Sequence, residues 1–572
     1  MHEAAATWCI AQQLTNDVKQ IATDARVPAL VARVLINRGL RDSAEIDRFL
    51  RPSSAHLHSP FAFRHMERAV NRIQGALARS EKILVQGDYD VDGSASAALL
   101  LNCLRHLGAD AQASIPIRAL DGYGLNERVV REAAEAGVKL LITCDNGTTA
   151  VREIALANEL GIDTIITDHH TVPPELPKAF AVLNPHVSDE KLPFKDLCGA
   201  GVAFKLVQAL MTSLAWEPAR VRALTESFLK MVAIATVADV VPLTGENRII
   251  VHHGLNGMTR VRNAGLRALL EVAGFKEGDE PTAGQIAFRI APRINAAGRM
   301  ADASQVIEMF LTADATTALT IAQQLHEWNA ERQQTEADTL AACLEATVQP
   351  EQRALVFAGD GWHKGVVGIV ASRLVERYCR PVFVLGIDNE KGEASGSGRS
   401  IEAFHLLDAL ESMGELFTKF GGHSHAAGLT LPAGRIEEFR ARLDAYAQSR
   451  LAEDDLRPRL KVDATADFAE LNEDSVAQLL KLGPFGQGNA APILMARNAS
   501  FPFPPTLMKE KHLRMKVAQS GKQLTMKAWN FAERKHEFTS DRVYDLAFTV
   551  EEDPYSAARG YAPWSATLRD LR

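Results

Sequence analysis

The sequence predicts an α/β fold class: two α/β domains joined by a long helix, with a smaller β-rich module after them. Three observations predict it. Between about residues 82 and 183, apolar strand-like runs alternate with helix-like runs, the pattern of βαβ units and a helix-covered parallel sheet. Residues 312–346 contain almost no breaker and read as one long helix. Beyond Arg457 the β-like runs shorten, 514–517 and 544–550 among them, with Gly, Pro and Lys between, which suggests a small barrel.

The 572 residues exceed the ~250–300 that one core usually serves. The expected division is a helical segment at 1–50, a first α/β domain at 51–260 and a helical region with the long helix at 261–348. A second α/β domain follows at 349–450, and the β-rich module at 455–572. In chain order, 33–49 reads as a helical pair, with Asp42-Ser43-Ala44-Glu45 as a helix start. A Pro-containing loop at 51–60 leads into a helix at 66–78. Strands are expected at 82–86, 111–117, 138–143, 164–167 and 179–183, and helices at 94–104, 127–136 and 150–160. The chain then reads as helical over 199–236 and much of 256–346. The second α/β unit starts with the apolar run 354–357.

Composition excludes several classes. At 47% hydrophobic and 23% charged, the chain is an ordinary globular one. A formal net charge of -8 gives no global attraction to nucleic acid, so any such surface must be local. No apolar run approaches the ~20 residues of a membrane helix. Met1-His2-Glu3-Ala4 lacks the basic start and apolar core of a secretory signal. The six cysteines form no CxxC, which fits a reducing cytoplasm and argues against a zinc cluster. A cytoplasmic location is therefore expected.

The chemistry lies at strand ends. The run 82–86 ends in Gly87-Asp88-Tyr89-Asp90-Val91-Asp92-Gly93, with three acids at alternate positions. Carboxylates so crowded repel one another and raise each other's pKa unless a cation neutralises them. The device recurs at Asp145-Asn146-Gly147 and at Asp168-His169-His170, and an apolar helix-like run ends in Asp239. In a parallel sheet the first three acids share one edge, where open α/β sheets place their sites. A mixed Asp/His set suits Mn²⁺ or Mg²⁺ better than Zn²⁺ or Ca²⁺.

These motifs carry a family resemblance. Asp168-His169-His170 resembles the signature triplet of the DHH phosphoesterases. The acidic loop from Asp88, Asp145-Asn146-Gly147 and Val237-Ala238-Asp239 resemble that superfamily's other metal motifs, in the same order. Gly421-Gly422-His423 with Ala426-Ala427-Gly428 resembles the glycine-rich motif of the DHH-associated C-terminal domain. Five stretches narrow the resemblance to the RecJ family of bacterial single-strand-specific exonucleases. They are the 87–93 loop, Asp121-Gly122-Tyr123-Gly124-Leu125-Asn126, the run from Cys198 to Lys205, Pro292-Arg293-Ile294-Asn295-Ala296-Ala297-Gly298-Arg299, and Pro484-Phe485-Gly486-Gln487-Gly488-Asn489.

The resemblance implies a DHH domain and a DHH-associated domain around a catalytic cleft, with an oligonucleotide-binding (OB) fold at the C-terminus. It implies two divalent cations, Mn²⁺ or Mg²⁺, held by Asp90, Asp92, Asp145, His169 and Asp239, with Asp145 bridging them. Asp88 and His170 would lie in or beside that shell, His170 orienting a ligand or protonating the leaving oxygen. Gln86 departs from the pattern, because many superfamily members have a metal-binding His there. Two cations about 3.5–4 Å apart can activate water and stabilise both oxygens of an in-line displacement. The substrate would be single-stranded DNA, cut from its 5′ end to 5′-mononucleotides. Recombination and repair would be the setting, with single-strand-binding protein and repair proteins as partners and no membrane.

Other residues would hold the nucleic acid. Small residues beside Arg let a backbone approach an anion, and the guanidinium binds phosphate as a fork. By resemblance Arg118, Arg299, Ser397, Arg399 and His423 hold the terminal 5′-phosphate and the adjacent backbone, with Arg293 and Asn295 in the same small-residue loop as Arg299. Tyr123, Trp362 and Phe485 are candidate stacking platforms for bases, with core packing as the alternative reading, for Phe485 above all. Lys509, Lys511, Arg514, Lys516, Lys522 and Lys527 give the β-rich module a local cationic face. Two other readings remain: a DHH enzyme for small phosphate substrates, which would not need the module after Arg457, and an inactive DHH scaffold, which would not need the ligand set.

Overall fold

A computed structural model describes residues 6–11, 15–116, 122, 124–188, 190–560 and 562–572. The chain forms two compact units. The larger comprises Trp8–Pro292, Ala303–Leu319 and Leu460–Arg572; the smaller comprises Arg293–Asp302 and Thr320–Arg459 with the few residues before Trp8.

After a helix at Thr15–Asp24, the larger unit has helices α1 (Ala29–Asn37), α2 (Ser43–Leu50) and α3 (Met66–Ala78). Asp42 caps α2 as expected, its side chain accepting the Glu45 N–H at 2.9 Å. Five parallel strands follow: β1 (Lys82–Gln86), β2 (Ala111–Ser114), β3 (Val138–Cys144), β4 (Asp163–Thr167) and β5 (Ala181–Leu183), in the order β2-β1-β3-β4-β5. Leu140 to Cys144 are all buried, as in a strand covered on both faces. Between the strands run α4 (Val91–His106), α5 (Glu127–Glu135) and α6 (Val151–Glu159). Helices α5 and α6 cover one face, packing Val129, Val130 and Ile154 on Leu141 and Ile166. Helix α4 packs against α7 (Gly199–Ser213) and α8 (Pro218–Ala238), and α8 packs along α9 (Gly245–Gly257).

The helical stretches are shorter than the sequence suggests. Pro218 begins α8 and divides the expected 199–236 run in two. The 256–346 run breaks into α10 (Ala264–Val272), a π-helical turn (Ile286–Ile290), α11 (Ala291–Met300), α12 (Ser304–Leu311) and α13 (Ala315–Glu345). The long helix is α13, at 31 residues. The smaller unit adds β6 (Leu355–Asp360), α14 (Val367–Tyr378), β7 (Val382–Asp388), β8 (Glu393–Arg399), β9 (Lys419–Gly422), β10 (Ala426–Pro432) and α15 (Ile436–Arg450). Its sheet runs β9-β10-β8-β7-β6, with only β6 and β7 parallel.

The C-terminal module contributes β11 (Ala464–Thr465), β12 (Leu494–Ala499), β13 (Thr506–Met508), β14 (His512–Gln519), β15 (Lys522–Ala528), β16 (Tyr544–Glu552) and β17 (Trp564–Leu571). Their order is β11-β12-β16-β17-β15-β14-β13. A bridge from Ser500, just after β12, to Ala518 on β14 closes five of these strands into a barrel. The N-terminal segment is not helical throughout: Thr7–Ile10 is a strand, as its Thr-Trp-Cys-Ile composition favours. Its helices also lack a core of their own. Leu30, Val31, Leu35 and Ile46 share one apolar cluster with Phe468, Leu494, Phe501 and Phe548 of the barrel.

Candidate metal centre

Strand register gathers the acids. Gln86 pairs with Thr143 and Cys144 with Thr167, so β1, β3 and β4 end at one edge and release Asp88, Asp145 and Asp168 side by side. Asp90 caps α4, accepting the Gly93 N–H at 3.0 Å, which places Asp92 in the first helical turn. Asp92 accepts the N–H groups of Gly199 (2.6 Å) and Ala200 (2.7 Å), at the positive end of α7. Glycine is required at two of these positions. A Cβ on Gly93 would lie 2.4 Å from the Asp88 nitrogen, and one on Gly199 would lie 2.6 Å from Cβ of Asp145. Asp145 has φ +62°, a left-handed conformation that Asp tolerates better than most residues.

His169 is the hub. Its Nε2 lies 3.1 Å from Asp145, 3.6 Å from Asp239 and 3.7 Å from Asp92. Two converging sets, Asp145–His169–His170 and Asp92–His169–Asp239, each bring their ligand atoms within 4.8 Å of one another. Asp88 and Asp90 lie outside both sets. Asp168 orients the histidines from behind. Its Oδ1 accepts the N–H groups of His169 (2.7 Å) and His170 (3.1 Å) and the Nδ1–H of His170 (2.8 Å), while Oδ2 accepts the Thr148 N–H at 2.9 Å.

Charge follows from this geometry. Burial, then the neighbouring Asp90, pushes the Asp88 carboxyl up to about 7. Burial followed by Asp92 raises Asp90, Asp145 and Asp239 as well. Burial pushes His169 down, keeping it a neutral imidazole fit to ligate. Burial lowers His170, but its hydrogen bond to Asp168 and the charges of Asp168, Asp239 and Asp92 together raise it to about 9. Asp168 itself falls below the usual carboxylate range despite burial, held by His170 and Thr148.

The site therefore fits hard divalent cations. The acids carry more negative charge than the two histidines can balance. Both Asp88 carboxylate oxygens are buried, and the buried Nε2 of His169 has no hydrogen-bond partner among the described residues. Backbone N–H groups of Tyr89 and Gly124 offset only part of the Asp88 shift. Gln86, the departure from the family pattern, is fully buried, and its Oε1 likewise has no partner among the described residues.

The remaining expected site residues divide. Arg118 and Tyr123 lie outside the described residues. Arg293, Asn295 and Arg299 all lie on α11; Arg293 donates to Nδ1 of His326 (3.0 Å), and Arg299 to the Gly365 carbonyl (2.8 Å). On β8, Arg399 donates to the Ser397 hydroxyl (2.7 Å) and the Gly398 carbonyl (2.8 Å). Burial lowers its pKa. A Cβ on Gly368, in the first turn of α14, would meet Arg399 at 3.1 Å and Ser397 at 3.3 Å, so that turn faces both side chains closely. His423 is exposed in the turn before β10, whose Ala426 pairs with Arg399. Two stacking candidates, Trp362 and Phe485, are half-buried and pack against hydrophobic cores. Trp362 lies over Gly359, where a Cβ would meet its indole at 2.3 Å, and packs on the Leu355–Phe357 cluster; Phe485 packs on the barrel core. Sequence reasoning missed the orienting role of Asp168 and the part played by the Thr148, Gly199 and Ala200 amides; the acid heading the histidine pair was the available signal.

Fold and site together define a metal-binding phosphoesterase of the DHH class. Family models agree: the DHH family, N-terminal domain, matches residues 82–236, the DHHA1 domain 351–449 and the RecJ OB domain 462–560. The chain belongs to the RecJ family. It is 36% identical to the single-stranded-DNA-specific exonuclease RecJ of Dickeya dadantii, over 93% of this chain and 94% of that one. It is 38% identical to the RecJ of Bacillus subtilis over 92% of this chain, and spans 66% of that protein's length. The crystal structure of RecJ in complex with Mn²⁺ from Thermus thermophilus superposes with a TM-score of 0.84 at 30% identity, covering 99% of this chain and 79% of that one. Among the described residues, no helix is long and apolar enough to cross a membrane.

Proposed function

We propose that this chain is a single-stranded-DNA-specific 5′→3′ exonuclease that hydrolyses phosphodiester bonds with two divalent cations, Mn²⁺ or Mg²⁺, and releases 5′-mononucleotides. The observation that carries the reading is the buried acid–histidine set at one edge of a parallel sheet, with too little protein charge to balance it. Asp92, Asp145, His169 and Asp239 would hold the ions, with Asp88 and Asp90 alongside. When bound, the ions supply Lewis-acid activation of water and neutralise charge on the reacting phosphate. His170 would hold the proton for the leaving oxygen on Nε2, because Nδ1 is fixed by Asp168. Its side chain is 40% exposed, so a substrate can reach it.

Ser397 and Arg399, beside the first turn of α14, offer a hydroxyl, a guanidinium and helix N–H groups to a terminal 5′-phosphate. His423 would contribute from the neighbouring turn, and Arg118, Tyr123, Arg293, Asn295 and Arg299 would hold the strand. The barrel would grip longer strands through Arg514 and Lys516, exposed on β14 while Leu513, Met515 and Val517 point inward. Recombination and repair in the cytoplasm is the setting, with single-strand-binding protein and repair proteins as partners. The test is product analysis on 5′- and 3′-labelled single strands with Mn²⁺, Mg²⁺ or EDTA. Mononucleotides should appear from the 5′ label first and only with metal. Early release from the 3′ label, or internal fragments, would sink the proposal.

A further inference from the structure

The motif 484–489 belongs to neither the metal centre nor the barrel's exposed cationic face. It folds as a tight turn in which Gly486 and Asn489 exchange backbone hydrogen bonds, at 3.0 and 3.1 Å. Asn489 is buried, and its amide donates to the carbonyls of Leu482 (2.8 Å) and Pro484 (2.9 Å) while its side-chain carbonyl accepts from Arg38. The turn is therefore rigid from within. Its outer side rests on the connector between α8 and α9.

That connector starts at Asp239, the C-cap of α8. Val240 follows in a left-handed conformation, φ +61°. Leu243, only 2% exposed, donates its N–H to the Gln487 carbonyl at 2.7 Å. Both glycines of the turn are contact surfaces. A Cβ on Gly486 would lie 2.7 Å from Cδ1 of Leu243, and one on Gly488 would lie 2.9 Å from Cβ of Pro242. On the other side, Asn247 holds the Pro242 carbonyl (3.0 Å). Arg248 of α9, buried, reaches the carbonyls of Leu482 (2.8 Å) and Lys481 (3.3 Å). The connector is thus held between the 484–489 turn and α9, three residues from a carboxylate aimed at His169.

We propose that the 484–489 turn is a positioning element for Asp239: by fixing Pro242 and Leu243 it sets where the Asp239 carboxylate stands, and so how tightly the centre binds its cations. This rests on the reading of Asp239 as a metal ligand. A group that orients a ligand from outside the coordination shell is worth about 10- to 100-fold in metal affinity. The turn belongs to the C-terminal module in sequence, but its role lies in metal affinity, separate from any grip on DNA.

The test uses the full chain and two readouts besides activity: the rise in Tm with Mn²⁺ concentration, and calorimetric Mn²⁺ titration. Gly488→Ala adds a methyl against Pro242 at a residue with φ +70°. Gly521→Ala is the control, because Gly521 has φ +79° in the β14–β15 turn with nothing within 4 Å of a new Cβ. Both carry backbone strain in the same module, but only the first touches the connector. Gly488→Ala should weaken Mn²⁺ binding about tenfold, keep its affinity for single-stranded DNA in EDTA, and regain turnover at saturating Mn²⁺. Gly521→Ala should bind Mn²⁺ like the parent. If Gly488→Ala does not fold, Leu243→Ala removes the other contact of the connector with the turn, that of the Leu243 side chain with Gly486, without adding bulk and carries the same expectation. Asp239→Asn separates the two ideas. If it weakens Mn²⁺ binding while Gly488→Ala and Leu243→Ala do not, the positioning role is overturned; if it leaves Mn²⁺ binding intact, the ligand reading itself fails.

Discussion

Asp88→Asn should stabilise the metal-free protein at about pH 8 while impairing the enzyme, and the gain should depend on pH in a defined way. Asp88 is 1% exposed, and its carboxyl is raised from an ordinary 3.8 to about 7 by burial and by Asp90. An acid whose folded pKa is raised binds its proton more tightly in the folded state. The wild type therefore loses stability as pH rises from about 4 to about 7, by on the order of 4 kcal/mol in full. The asparagine amide has no such titration, and any hydrogen bonds it leaves unmade cost roughly 1–3 kcal/mol at every pH. The difference between the two proteins should therefore shift in favour of the variant by about 2–3 kcal/mol between about pH 5 and about pH 8. Thermal or urea unfolding in EDTA at the two pH values reads this, since groups that do not interact with Asp88 cancel and relief of Asp90, its charged neighbour, favours the variant in the same direction. A variant whose relative stability is the same at both pH values would refute the account of a carboxylate cluster strained by its own charge.

Asp145→Ala should abolish hydrolysis of labelled single strands with circular dichroism unchanged, because a carboxylate in contact with His169 is lost and charge repulsion is relieved; comparable turnover in a well-folded variant would remove it from the metal set. Arg399→Ala should cut activity on 5′-phosphorylated strands about ten- to a hundredfold, the worth of one charge-assisted contact, and leave 5′-hydroxyl strands nearly equivalent; a retained preference for the phosphate would place the pocket elsewhere. Reversing Arg514 and Lys516 to Glu should weaken binding of long strands and flatten the salt dependence by about one unit of log–log slope per lost phosphate contact; an unchanged slope would move the grip off β14.

Much of the centre was legible because its signals are local. An apolar run ending in an acid needs only a parallel register to become a cluster, and the alternation of strands and helices predicted that register. What was not legible depends on contacts far apart in sequence. Nothing near Leu30 or Leu35 announces that they share a core with Phe468 and Phe548, more than 400 residues later. Deleting the chain from about Arg457 would strip that core, so removing the barrel cannot isolate its role in DNA binding. The exact ends of elements were lost to weaker effects. The strand expected at 179–183 begins only at Ala181, and the helix expected at 199–236 is cut by Pro218. Trp362 and Phe485 show the limit of residue type as evidence, since an aromatic beside glycines reads equally as a platform or a packed ring.

The acids of the centre also differ in what holds them, and the difference sorts their roles. Asp92 takes two N–H groups from the start of α7, and Asp168 takes three N–H groups and an imidazole. Such carboxylates are fixed whether or not a cation is present. Asp88 has only the backbone N–H groups of Tyr89 and Gly124, which do not offset its burial, and Asp239 stands at the negative end of α8, where a carboxylate gains nothing from the helix. Burial and neighbouring carboxylates raise both of their pKa values, as they raise those of Asp90 and Asp145, and a cation would compensate them. The pre-fixed acids define where an ion must sit, and the strained ones supply the electrostatic drive to take it up. That division explains why a chain of net charge -8 can keep four buried acids, Asp88, Asp92, Asp145 and Asp168, all but Asp88 within 4 Å of one imidazole or bound to its backbone, without losing the fold: the repulsion is concentrated where metal binding relieves it.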